Sequence, residues 1–222
     1  MKINADFAKT TSVHTSSLAW SPSPMQGVER RMLDRIGDEV ARATSIVRYA
    51  PGSHFSAHTH TGGEEFLVLE GTFQDEYGDY PAGTYVRNPI GTSHTPKSES
   101  GCTIFVKLWQ FSSSDTEQFA VDLNNAKLSP KAGQPGIEQV VLHSHESESV
   151  WLESWQAGAT RNLHHEGGAE ILVLDGSLNW RGAVYSEQDW LRFPPGASEL
   201  CIAGSTGTRL WLKTGHLKQI VS

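Results

Sequence analysis

Glu64-Glu65-Phe66-Leu67-Val68-Leu69-Glu70-Gly71 recurs 105 residues later as Ala169-Glu170-Ile171-Leu172-Val173-Leu174-Asp175-Gly176. At the same offset, Arg87-Asn88-Pro89-Ile90-Gly91-Thr92-Ser93 matches Arg192-Phe193-Pro194-Pro195-Gly196-Ala197-Ser198. Upstream, Gly27-Val28-Glu29 matches Gly136-Ile137-Glu138, and Pro51-Gly52 matches Ala157-Gly158. Four blocks in one order mark a duplication, with units of roughly 100 residues, a usual domain size. Within a unit, short runs such as Thr44–Tyr49, Phe66–Leu69, Thr84–Arg87 and Thr103–Gln110 are rich in Val, Ile, Phe and Tyr and separated by Gly/Pro/Asp/Ser turns. No long segment carries a 3.6-residue apolar period. The expected architecture is all-β, two antiparallel barrels or sandwiches in tandem. Residues 1–25, rich in Ser, Thr and Pro, read as an arm, 26–111 as the first domain and 136–222 as the second. Between them 112–135 is polar and broken by Pro130 and Pro135, which reads as a linker in which Ser114 or Asp115 could cap a short helix.

The chain has 222 residues and a formal charge of -7. That balance gives no electrostatic footprint for nucleic acid or an anionic membrane. No run reaches transmembrane length, and the first residues hold no apolar signal region, so a cytoplasmic location is expected. Two cysteines, Cys102 and Cys201, exclude a disulfide framework; both are expected as reduced, small core residues.

The richest chemistry lies in Gly52-Ser53-His54-Phe55-Ser56-Ala57-His58-Thr59-His60-Thr61-Gly62-Gly63-Glu64. His58 and His60 are two apart and project from one face of a strand. Gly62-Gly63 lets the chain bend before Glu64, and His94 follows a Pro-x-Gly turn thirty residues on. Three imidazoles and a carboxylate suit a borderline divalent cation. Phe66 and Val68 share the face of Glu64 and are expected to line a mainly apolar pocket, with His54 at its rim.

Gly52-x5-His58-x-His60-x3-Glu64-x6-Gly71 resembles the first signature of the cupin superfamily, and Gly83-x5-Pro89-x-Gly91-x2-His94 the second. The second signature ordinarily closes on Asn, where this chain has Ser98. The wording around both motifs is similar to the cupin-like domain of ChrR-type anti-sigma factors, whose stand-alone relatives include small-ketone dioxygenases. The resemblance implies two tandem double-stranded β-helix barrels, a bicupin, with one metal held by His58, His60, Glu64 and His94. Zinc or iron is the implied ion, with manganese or nickel as alternatives. In the second copy Leu163, His165, Ala169 and Glu199 stand at the ligand positions, so that barrel is expected to have lost its metal; a one-residue gap could instead recruit His164, Glu166 or Glu170.

Two functions remain open on this reading. One is a sensing or regulatory module, with a sigma factor as partner by resemblance alone, since the 25-residue arm has no cysteine to build the zinc-binding domain of such factors. The other is a mononuclear metal-dependent dioxygenase taking a small ketone or related organic ligand. Strand alternation also puts Glu65, Leu67 and Leu69, and Glu170, Leu172 and Leu174, on the outer faces. Two leucines per outer face call for a cover, from the N-terminal arm or strands of the same unit, from the other barrel, or from a second copy in a homodimer.

Overall fold

The computed structural model describes residues 1–218 and 220. Residues Met1–Ala5 and Ala19–Asn125 form one unit, and Asp6–Leu18 with Ala126–Ile220 the other. In the first, an antiparallel sheet runs in the order Lys2–Ile3, Val28–Gly37, Ala41–Tyr49, Cys102–Leu108, Glu64–Asp75, Thr84–Asn88, Phe119–Asp122. Its inward faces pack Val28, Tyr49, Phe66, Val68, Phe73, Ile104 and Val106 into one core. In the second, the order is Ser129–Pro130, Ile137–His145, Glu148–Trp155, Ser198–Thr214, Ala169–Trp180, Trp190–Phe193, Thr11–Val13. The duplication therefore repeats in the ladder: Glu64 pairs with Asn88 as Ala169 pairs with Phe193, each partner 105 residues on. Among the described residues no helix is long and apolar enough to cross a membrane.

The arm and the linker carry more structure than their composition suggests. Thr11–Val13 is the edge strand of the second unit, on Trp190–Phe193. Phe119–Asp122, within the expected linker, is the matching edge of the first unit, on Thr84–Asn88. A 3-10 turn, Leu123–Asn125, follows it, while Asp115 caps no helix and pairs with Arg87 at 2.6 Å. Each edge covers a buried arginine, and a phenylalanine beside it stacks on the guanidinium: Phe111 on Arg87 at 4.2 Å, Phe7 on Arg192 at 4.0 Å.

Of the two leucines on each outer face one is buried, Leu67 at 2% and Leu172 at 0% exposure, while Leu69 and Leu174 are half-buried. Glu65 and Glu170, on the same faces, are buried as well and satisfied by partners. Glu65 takes hydrogen bonds from Tyr85 and Arg87 at 2.5 and 2.8 Å, and Glu170 from Trp190 at 2.8 Å.

Gly71 ends the repeated motif where the Glu64–Asp75 strand bends, just after its own bulge at Leu69. Its φ is +70°, and a Cβ there would lie 2.1 Å from the carbonyl oxygen of Gly101. Gly71→Ala must therefore pay for a left-handed backbone and move a neighbouring strand, a cost above about 2 kcal/mol. Urea unfolding is expected to show the midpoint falling accordingly; an unchanged midpoint would mean that the bend relaxes freely.

Candidate metal centre

His58–Thr59 pairs antiparallel with Ser93–His94, and His94 lies directly opposite His58. His60 is fixed through its main chain, its N–H donating to Thr92 at 2.9 Å and its carbonyl accepting from Gly91 at 2.9 Å. The chain then turns through Gly63, at φ +75°, where a Cβ would sit 2.4 Å from the Phe111 ring, and enters the strand that starts with Glu64. These local constraints bring four donors together. One ligand atom each from His58, His60, Glu64 and His94 lies within 4.8 Å of the others. His60 Nε2 is 3.4 Å and His94 Nε2 3.5 Å from Glu64 Oε1, and the two Nε2 atoms are 3.1 Å apart.

The other ring nitrogens decide what those Nε2 atoms can do. His58 Nδ1 donates to the Ser56 carbonyl at 3.1 Å. His60 Nδ1 faces Thr92 Oγ1 at 2.9 Å, and that hydroxyl already donates to the Pro89 carbonyl, so the imidazole is the donor. His94 Nδ1 donates to Asp75 Oδ2 at 3.2 Å. With each proton committed to Nδ1, three Nε2 lone pairs and a carboxylate converge, an arrangement that repels itself without a cation at its centre. The donor set thus fits a divalent ion. Burial lowers the pKa of His60, which favours the neutral, ligating form. Burial would lower His94 too, but the bond to Asp75 and the charge of Glu64 outweigh it, and its pKa rises.

A cavity of about 500 Å³ opens on the cluster, with His58, His60 and Glu64 in its wall. The rest of the wall is mainly apolar, including Val47, Phe55, Phe73, Ile104 and Val106, with Tyr49 among them. Burial, then the charge of Glu64, pushes the Tyr49 hydroxyl well above its usual pKa and keeps it neutral. Three expected pocket residues stand elsewhere. Phe66 and Val68 do face inward, but they lie buried in the core, where Phe73 and Val106 also pack, and not in the cavity wall. His54 is exposed, because Ser53 takes the inward position on that short strand, and it is Phe55 that reaches the cavity.

Asp75 escaped the sequence reading. Its Oδ1 accepts from the main chain of Tyr77 and Gly78 at 2.8 and 3.2 Å and from the Tyr80 hydroxyl at 3.2 Å, leaving Oδ2 for His94. Burial raises its pKa, but the His94 and Tyr77 hydrogen bonds win and hold it down, ionised. Asp75→Asn is expected to weaken metal affinity 10- to 100-fold, the usual effect of losing such a carboxylate behind a ligand. Competition with a chromophoric chelator measures it; unchanged affinity would reduce Asp75 to a brace for its turn.

The second unit replaces this chemistry in register. Leu163 and Ala169 are core residues, and His165 Nδ1 accepts from the Gly167 main chain at 3.1 Å. Glu199, at the position of His94, accepts from Trp180 Nε1 at 2.9 Å and Arg181 Nη2 at 2.7 Å, and those two stand where the first copy has Asp75 and Glu76. Nor do the shifted candidates assemble: His164 and Glu166 form a surface pair, while Glu170 faces the other side of its strand, against Trp190 and His216. Among the described residues no group of three metal-ligand side chains lies wholly within the second unit.

Several solved structures share this fold at low sequence identity. A Nostoc punctiforme protein named a "putative dioxygenase" superposes with a TM-score of 0.80 at 13% identity, covering 96% of this chain and 85% of its own. A glyoxylate-induced protein from Pseudomonas aeruginosa gives 0.75 at 14%, over 96% and 91%. The Escherichia coli pirin YhhW, solved with nickel(II), gives 0.67 at 15%, over 93% and 98%. No curated protein matches the sequence. The sequence profile of the ChrR cupin-like domain matches twice, over residues 8–112 and 116–218, and with the repeated strand order this makes the chain a tandem, all-β member of the ChrR cupin-like domain family.

Proposed function

We propose that the first domain is a mononuclear metalloenzyme, an oxygenase whose small organic substrate binds beside the ion. The observation that carries this reading is the cavity: the ligand set forms part of the wall of a space of about 500 Å³, within the range of small-molecule pockets, and is not sealed off as in a purely structural site. An iron(II) ion in that position supplies Lewis acidity, electrons and coordination positions beyond the four protein ligands. The chain supplies the rest. Ser56, Thr92 and Asp75 hold the imidazoles in one tautomer, the apolar wall keeps water from the substrate, and Tyr49 contributes a neutral hydroxyl.

Family membership favours a second reading, a metal-dependent sensing module with a regulatory partner such as a sigma factor. Metal analysis of anaerobically purified protein, followed by O2 uptake with simple diketones, separates the two. Iron near one per chain with substrate-dependent O2 uptake is the expected result. Zinc with no turnover would sink the oxygenase and leave the sensor.

A further inference from the structure

The cavity that holds the ligand cluster also holds two arginines that the metal chemistry does not use. Arg30 and Arg35 lie on the Val28–Gly37 strand, five residues apart, a spacing that regular alternation would put on opposite faces. A bulge between Met32 and Asp34 inserts one extra residue and reverses the parity, so both line the cavity. Their neighbours outside that face are differently engaged, with the guanidinium groups of Arg31 and Arg48 on the Trp20 ring at 4.4 and 4.3 Å.

Neither inward arginine is fully occupied. Arg35 is 4% exposed and hydrogen-bonds through Nη2 to the main-chain carbonyls of Asp38 and Glu39, with no carboxylate in ion-pair range. Arg30 reaches Glu39 at 3.2 Å through Nη2, while its buried Nε has no hydrogen-bond partner. Glu39, two-thirds exposed, is the acidic group at this end of the cavity. Burial first, then the charge of Arg30, pull the Arg35 pKa down, so the two cations feel each other.

The distance of Arg35 from the metal cluster follows from the ladder. Arg35 pairs with Ala43, Ala43 with Leu108, and Leu108 with Glu64, one row across four strands. At about 4.8 Å per strand that row spans roughly 14 Å before the sheet curls. Long side chains from both ends shorten the gap to a few carbon atoms, with Leu108 of that row in the cavity wall.

We propose that the ligand of this cavity is a small organic acid, its oxygen-bearing head on the metal and its carboxylate on Arg35 and Arg30. This rests on the metal-site reading above and adds the substrate's charge and its orientation. Guanidinium groups bind carboxylates through paired, charge-assisted hydrogen bonds, and an anion there relieves the mutual repulsion of the two cations.

The test uses the full chain loaded with cobalt(II), whose visible spectrum reports ligands on the ion, and two compounds with one diketone head. 4,6-Dioxoheptanoate carries a carboxylate two methylenes from that head, and heptane-2,4-dione carries none. The acid is expected to bind at least tenfold more tightly at low salt, and the advantage should shrink as salt rises. Arg35→Gln should abolish the advantage, Arg35→Lys should keep part of it, and both should leave cobalt content and heptane-2,4-dione affinity within twofold. Should Arg35→Gln fold poorly, the salt dependence in the unaltered chain decides. Equal affinities, or an advantage that survives Arg35→Gln combined with Arg30→Gln, would overturn the proposal alone. A chain that takes up no cobalt, or whose spectrum responds to neither compound, would overturn it together with the metal-site reading.

Discussion

Replacing residues 6–18 by a Gly-Ser stretch of equal length should unfold the second domain at temperatures where the first is still intact. Those residues supply Phe7, 6% exposed on Arg192, and the ladder from Thr11–Val13 to Trp190–Arg192. They also supply the Thr15 N–H to Asp189 at 2.9 Å, the Ser12 Oγ that accepts from the Tyr185 hydroxyl at 2.9 Å, and His14 stacked on Tyr185 at 4.7 Å. Burying a phenylalanine is worth about 1.5–3 kcal/mol and each hydrogen bond about 1. Stripping them also leaves Asp189 and Arg192 without their cover. A loss of about 5 kcal/mol or more is comparable with the whole stability of a domain. Calorimetry should resolve an early transition, and limited proteolysis should then cut within 126–218 while sparing 26–111. A single transition at the original temperature would mean that these residues merely decorate the sheet edge.

Glu64→Ala should reduce bound metal from one per chain to below a tenth under chelator competition. Glu64 is the anionic member of a set otherwise made of neutral imidazoles, so its removal takes away a ligand and the charge that balances the ion. The fall should exceed the 10- to 100-fold expected for Asp75→Asn, which only supports a ligand. His94→Ala should behave like Glu64→Ala, whereas Glu170→Ala, in the second domain, should leave metal content alone. Full retention of metal in both Glu64→Ala and His94→Ala would refute the ligand assignment. Circular dichroism of the metal-free proteins separates lost ligation from lost fold.

The fold class and the ligand cluster could be read from the chain because both rest on short-range rules. His58 and His60 share a face by strand alternation, and Gly71 and Gly176 recur because each strand bends at the same place, where an added Cβ would lie 2.1 and 2.2 Å from a neighbouring carbonyl oxygen. What escaped reading depends on partners far away in sequence or on a change of parity. Thr11–Val13 and Phe119–Asp122 are three and four residues long, too short for a period, and only their ladders identify them as edges. Phe66 and Val68 were placed on the correct face, but alternation does not tell which inward side chains are covered by packing and which reach the cavity. Arg35 joined Arg30 only through a bulge that a strict two-residue period cannot anticipate.

The exchanged edges set a timetable for synthesis. Phe119–Asp122 closes on Thr84–Asn88, made only about 35 residues earlier, so the first domain can complete its sheet soon after its last strand leaves the ribosome. Thr11, among the first residues made, must wait for Arg192. At about 5–20 residues per second that delay is roughly 10 to 35 s. For roughly the last 70 residues of that delay, the nascent chain carries a closed first domain and an unpaired N-terminal strand, kept harmless by its shortness.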